Sequence, residues 1–152
     1  MLKEILILGI GGDGVQLTGN FLMNAFVNNN YNVSFYPIYG SQMRGGESTL
    51  IIKVSDEEIV NPLLSSPDIV AIVNGTHFGK YENYAKHARI IDISESKILK
   101  NKNIVLLARI VKELKFVKTE DIHNEIIKKF KKEELRNRIT DCFDNEMNKS
   151  DE

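Results

Sequence analysis

The sequence predicts a three-layer α/β/α domain built on a mostly parallel sheet, and three observations carry that prediction. Short apolar runs alternate with segments of helical spacing along most of the chain, as crossover connections between parallel strands require. The first run, Glu4 to Gly9, is nearly continuous in aliphatic residues, the pattern of a strand covered on both faces. It ends in a glycine-rich turn that leads straight into a helical pattern. At 152 residues, 42% of them hydrophobic, the chain is long enough to bury about two-thirds of the surface its unfolded form exposes, so one domain is expected.

The elements follow in order. After Gly14, the residues Val15, Leu17, Phe21, Leu22, Ala25 and Phe26 recur at helical spacing, and Asn28-Asn29-Asn30 supplies a stop. Val33 to Tyr36 reads as a second strand. Tyr39 to Glu47, with three glycines and no periodicity, reads as a loop, and Ser48 to Val54 as a β-branched third strand. Ser55 to Glu58 is a turn, and Pro62 and Pro67 bracket an irregular passage. Asp68 to Asn74 and Ala88 to Ile93 are further strands, with a helix expected between them from His77 to Lys86. From Asn103 the spacing of Ile104, Leu107, Ala108, Val111 and Leu114 predicts a helix. Thr119 is expected to cap the next one, with Glu120 and Asp121 favourably placed in its first turn. The division expected is one domain over 1–143, with C-terminal helices from about 103, and a disordered polar tail over 144–152.

Composition narrows the function classes. A formal net charge of -1 gives no overall field to attract nucleic acid or an anionic membrane. The single cysteine, Cys142, excludes an internal disulfide and any zinc or iron–sulfur set built from thiols. His77, His87 and His123 lack the tight spacing of metal ligands. No Ser-His-Asp, Cys-His or paired-carboxylate arrangement is legible. The run Lys128-Lys129-Phe130-Lys131-Lys132 is interleaved with Glu125, Glu133 and Glu134 and reads as a solvated helix face. The apolar start, Met1 to Gly9, is too short for a membrane span and has no small-residue cleavage site, so a cytoplasmic protein is expected.

The chemistry is concentrated in two glycine loops. Gly9-Ile10-Gly11-Gly12-Asp13-Gly14 matches G-x-G-x-x-G between a strand and a helix, a Rossmann-like first βα unit whose helix N-terminus offers amides to an anion. A dinucleotide reading lacks its ribose-binding acid, because Val33-Ser34-Phe35-Tyr36-Pro37 stands where that residue belongs, and Asp13 places a negative charge in the loop. A structural tight turn and a site for other anions, such as the phosphates of coenzyme A, both remain open. In the second loop, Tyr39, Gly40, Arg44, Gly45 and Gly46 are the candidates: Arg44 offers a forked donor set to a carboxylate or phosphate, or else an ion pair that pins the loop or meets an acidic residue on a partner, and Tyr39 flanks it. Asp56 and Asp68 read as turn and strand-entry residues.

Gly11-Gly12-Asp13-Gly14-Val15, then Tyr39-Gly40-Ser41-Gln42-Met43-Arg44-Gly45-Gly46, Ser55-Asp56-Glu57-Glu58-Ile59 and Ser66-Pro67-Asp68, resemble in order and spacing the gamma subunit of the 2-oxoacid:ferredoxin oxidoreductases. The family's glutamine in the first loop is Asp13 here, and the passage from Ser94 to Asn103 is shorter than the family pattern. The resemblance implies a non-catalytic assembly subunit of an enzyme that oxidatively decarboxylates a 2-oxoacid to an acyl-coenzyme A and passes electrons to ferredoxin. It implies alpha, beta and ferredoxin-like delta subunits as partners. Thiamine diphosphate and iron–sulfur clusters would sit on those partners, and no cofactor on this chain. The two loops are expected to meet at the C-terminal edge of the sheet. A homo-oligomer is expected when the chain is isolated, since surface meant for partners drives self-association. The alternative is a stand-alone nucleotide or coenzyme A binding module.

Overall fold

The computed structural model of the chain describes residues 1–41, 45–98 and 100–150. Among them, five strands form one sheet in the order β2-β3-β1-β4-β5. They are β1 (Leu2–Ile10), β2 (Asn32–Tyr39), β3 (Glu47–Ser55), β4 (Ile69–Ile72) and β5 (Arg89–Asp92). The helices are α1 (Val15–Asn28), α2 (Lys102–Leu114), α3 (Thr119–Lys129) and α4 (Glu133–Met147).

The aliphatic run in β1 takes the central place because its side chains are buried on both faces from Glu4 to Gly9. β4 and β5 extend the sheet in parallel on one side of it. On the other side β3 pairs antiparallel with both β1 and β2, so four strands share a direction and β3 opposes them. The expected mostly parallel sheet is therefore mixed at this end. The β1–α1–β2 crossover is split, and β3 slots into the gap by turning back directly after β2.

β2 also outruns the strand expected to stop at Tyr36, and Pro37 lies within it. The pairing explains how. Gly40 donates its amide to the Glu47 carbonyl at 3.0 Å, and alternation along the antiparallel ladder then turns residues 37 and 39 outward. Pro37 thus falls at an edge position where no ladder N–H is needed.

The two faces are covered unequally. Against one face α1 and α2 pack Phe21, Leu22, Phe26, Ile104, Leu107 and their neighbours onto the odd-numbered residues of β1. α3 and α4 close that layer, with Ile122, Ile126 and Phe143 fully buried. The opposite face, around Leu6, Leu8, Ile51, Val70 and Ile72, is covered by Phe78, Tyr81, Ala85 and Leu64. The helix expected over His77 to Lys86 is two single-turn 3-10 helices, Phe78–Lys80 and Glu82–Ala85. A glycine at position 79 and a thin apolar surface do not sustain an α-helix there.

Two boundaries shift at the C-terminal end. Lys118, with extended backbone, is the N-cap of α3, and Thr119 is its first helical residue; Asp121 reaches back to accept from the Lys118 amide at 3.0 Å. Residues 144–147, expected in the tail, form the last turn of α4, where Glu146 is buried against Arg109. Among the described residues no helix is long and apolar enough to cross a membrane.

Candidate functional site

The first glycine loop begins where β1 ends. Asp13 folds its carboxylate back onto the Ile10 amide at 2.8 Å, while its own amide donates to the Ile10 carbonyl at 3.1 Å. The side chain that looked like an obstacle to anions is thereby spent on holding the turn. Gly12 sits at φ 96°, in the left-handed region that glycine adopts without penalty. Gly14, at φ 76°, is the N-cap of α1, and that helix start has neither a capping side chain nor an acidic residue in its first turn.

The second loop leaves β2 at Tyr39 and returns at Glu47. Gly40 is glycine for lack of room, since a Cβ there would stand 2.9 Å from the Glu47 nitrogen. The two loops meet: the Gly11 amide donates to the Gly46 carbonyl at 2.9 Å, continuing the β1–β3 ladder one step past Ile10 and Glu47. Between them lies a cleft of about 450 Å³, lined by Gly11, Gly12, Gly14, Gln16, Tyr39 and Gly46 among others. Tyr39 is 62% exposed at its lip. Of the candidates, Gly9 lies at the root of the first loop, packed by Val15, and Gly45 next to Gly46 at φ 74°. Arg44 lies outside the described residues.

Sequence reasoning missed the side chain that anchors this junction. Glu47 is only 7% exposed, and its carboxylate receives Lys80 Nζ at 2.7 Å, Tyr81 Oη at 2.6 Å and Thr49 Oγ1 at 3.1 Å. Burial pushes this carboxyl up, but the bonds from Lys80, Tyr81 and Thr49 together outweigh it and hold the group below the usual range. Burial, and then the Glu47 acceptor, push the Tyr81 hydroxyl up to about 12. The only signal in the chain was an acid placed directly after two glycines at the start of an apolar strand.

The remaining motif carboxylates lie at the opposite end of the sheet. Asp68 accepts from the Glu4 amide at 2.8 Å and donates its own amide to the Glu4 carbonyl at 2.8 Å, which sets the β1–β4 register. Asp56 follows β3 in the turn over residues 55–58. A second, polar cleft of about 710 Å³ runs between β5, α2 and α4, where Arg89 pairs with Glu113 and Arg109 with Glu146. His123 is bound to Asp144 at 2.6 Å. Cys142 is partly buried, and burial pushes its thiol up. Among the described residues no group of three metal-ligating side chains converges.

A family model described as pyruvate ferredoxin/flavodoxin oxidoreductase matches residues 4–100. A 2-oxoglutarate synthase subunit, KorC, of Methanocaldococcus jannaschii is 31% identical over 103 residues, 67% of this chain and 55% of that protein. A ketoisovalerate oxidoreductase subunit, VorA, of Methanothermobacter marburgensis is 28% identical over 103 residues, 66% of this chain but 22% of that protein. The chain therefore spans about half the length, or less, of these curated relatives. The solved gamma subunit of a keto/oxoacid ferredoxin oxidoreductase from Geobacter sulfurreducens shares the fold with a TM-score of 0.74 at 19% identity, over 95% of this chain and 96% of that one.

Proposed function

The chain belongs to the pyruvate ferredoxin/flavodoxin oxidoreductase family, and from that premise we propose that it serves as the gamma-type subunit of a multi-subunit 2-oxoacid:ferredoxin oxidoreductase. Its task in this reading is assembly: the two-loop rim docks against the subunits that bind thiamine diphosphate, near the site where coenzyme A accepts the acyl group. Partner subunits hold the thiamine diphosphate and iron–sulfur clusters, ferredoxin takes the electrons, and the complex works in the cytoplasm. Arg44 meets a carboxylate or phosphate on the docked partner. The relatives' names differ in the 2-oxoacid, so the reading extends to the substrate class alone.

The observation that carries this reading is the 2.9 Å bond from Gly11 to Gly46, which joins the two family motifs into one surface. Tyr39 stands exposed beside it, and among the described residues that line the cleft there is no nucleophile–base pair. Affinity capture of the tagged full-length chain from native lysate is expected to recover thiamine-binding and ferredoxin-like subunits, and the purified chain alone is expected to oxidise no 2-oxoacid. Capture that recovers neither subunit, or turnover by the lone chain, would remove the proposal. The stand-alone binding module is not favoured. A binder held at 100 times its dissociation constant gains about 2.7 kcal/mol of stability, so a thermal shift of that size with coenzyme A would revive it.

A further inference from the structure

We propose that Glu47 is the positioning residue of the two-loop rim: anchored to Lys80, Tyr81 and Thr49 beneath the sheet, it fixes the backbone that carries the Gly46 and Glu47 carbonyls, and so the junction with Gly11 and Gly40. Among the described residues the two loops are joined by the bond from the Gly11 amide to the Gly46 carbonyl, and the hairpin closes through Gly40 to Glu47. Both acceptors are carbonyls of adjacent residues, so one anchor at Glu47 holds both.

That anchor is strong for its size. A carboxylate taken out of water is kept there by three donors, one of them cationic, and hydrogen bonds to an ionised group are about twice as strong as neutral ones. Thr49 belongs to β3, but Lys80 and Tyr81 come from the 3-10 segment that covers the far face of the sheet. Neither Lys80 nor Tyr81 is among the residues that line the glycine cleft, yet through Glu47, which is, the segment sets where the cleft's second wall stands. The rim is thus built from two sides. Asp13 holds the first loop from within, and a segment more than 30 residues downstream holds the second (|i−j| = 33 and 34).

The inference concerns the chain's own geometry; its consequence for docking rests on the reading above. Amide hydrogen exchange of the full chain, followed residue by residue by NMR, tests it. Tyr81→Phe removes one donor without changing shape, and the Gly11 and Gly40 amides are expected to exchange about tenfold faster, as loss of one hydrogen bond to a charged acceptor allows. Exchange in β4 and α2 should stay as in the parent chain. Lys80→Met is expected to move the same two amides, and Lys80→Arg, which keeps a cationic donor, to restore them. Glu47→Gln extends the series if it folds. Unchanged exchange at Gly11 and Gly40, or acceleration spread evenly over the whole sheet, would overturn the proposal. A loosened rim that still captures the thiamine-binding subunit would uphold the positioning role and discard the docking reading.

Discussion

The two ends of the sheet are held together in different ways. At the end where β1 begins, side chains do the binding. Glu4 and Lys53 face each other across β1 and β3 at 3.0 Å, both almost fully buried, and Ser65 bonds both oxygens of Glu4 through its hydroxyl and amide. At the glycine end main chain binds main chain where the two loops join, and the carboxylates of Asp13 and Glu47 hold that junction from behind. A carboxylate that is saturated from within the fold has no capacity left for a visitor. A rim made of glycine backbone has free edges and room for another polypeptide to approach. Position in a motif therefore says little about function until the valences of each residue have been counted.

Substitutions at the two ends sharpen this contrast. The largest effect is expected from Lys53→Ala, which strands the Glu4 charge in the interior and should cost about 3–5 kcal/mol in denaturant unfolding. Replacing both partners together, as Glu4→Leu with Lys53→Met, should recover most of it, because an apolar pair needs no compensation. At the glycine end Gly40→Ala drives a Cβ against the Glu47 backbone and is expected to cost about 1–3 kcal/mol. Gly12→Ala has open space around it and meets only the left-handed backbone, a penalty of about 1–2 kcal/mol in the same assay. A Gly12 variant that destabilises more than the Gly40 variant would show that the first loop, and not the hairpin, is the tighter of the two.

Acid provides the mildest perturbation. The carboxyls of Glu47 and Glu146 both titrate lower in the folded chain than their ordinary value of 4.5, since donors from Lys80 and Tyr81, and from Arg109 and Lys149, outweigh burial. The stability they contribute is complete above pH 4.5 and is lost as the pH falls through their folded values. The denaturation midpoint should therefore drop on acidification below about pH 4.5, and Glu47→Gln should flatten part of that drop. An unchanged slope in the variant would mean that Glu47 does not contribute to it.

Much of the fold was legible in the residues. β1 and β4 announced themselves as nearly continuous apolar runs, because a strand buried on both faces has no polar phase to hide it, and β3 by its β-branched residues. α2 was equally plain, with Ile104, Leu107, Ala108, Val111 and Leu114 at helical spacing and all buried. The direction of β3 was not legible. Burial on both faces reads the same in either direction, and only the pairing with β1 and β2 distinguishes them. The 3-10 segment failed for a related reason: apolar residues at 78, 81 and 85 mimic a helical stripe, although the surface under them is too small to support one. The meeting of the two glycine loops was expected and is found, while the anchor under it was not foreseen.

Local sequence by itself determined what neighbours along the chain can decide: which runs are strands, where glycine lets the backbone turn, and that Asp13 sits within reach of the turn it closes. Tertiary structure alone decided the fate of the charges. Whether Glu47, Glu4 or Lys53 is a reactive group or a buried tie depends on partners up to 61 positions away, brought within 3.5 Å by strand register and by the segments crossing the sheet. Electrostatic pairing in a low-dielectric interior is set by distance in space, and distance in space is the one quantity a linear order of residues does not contain.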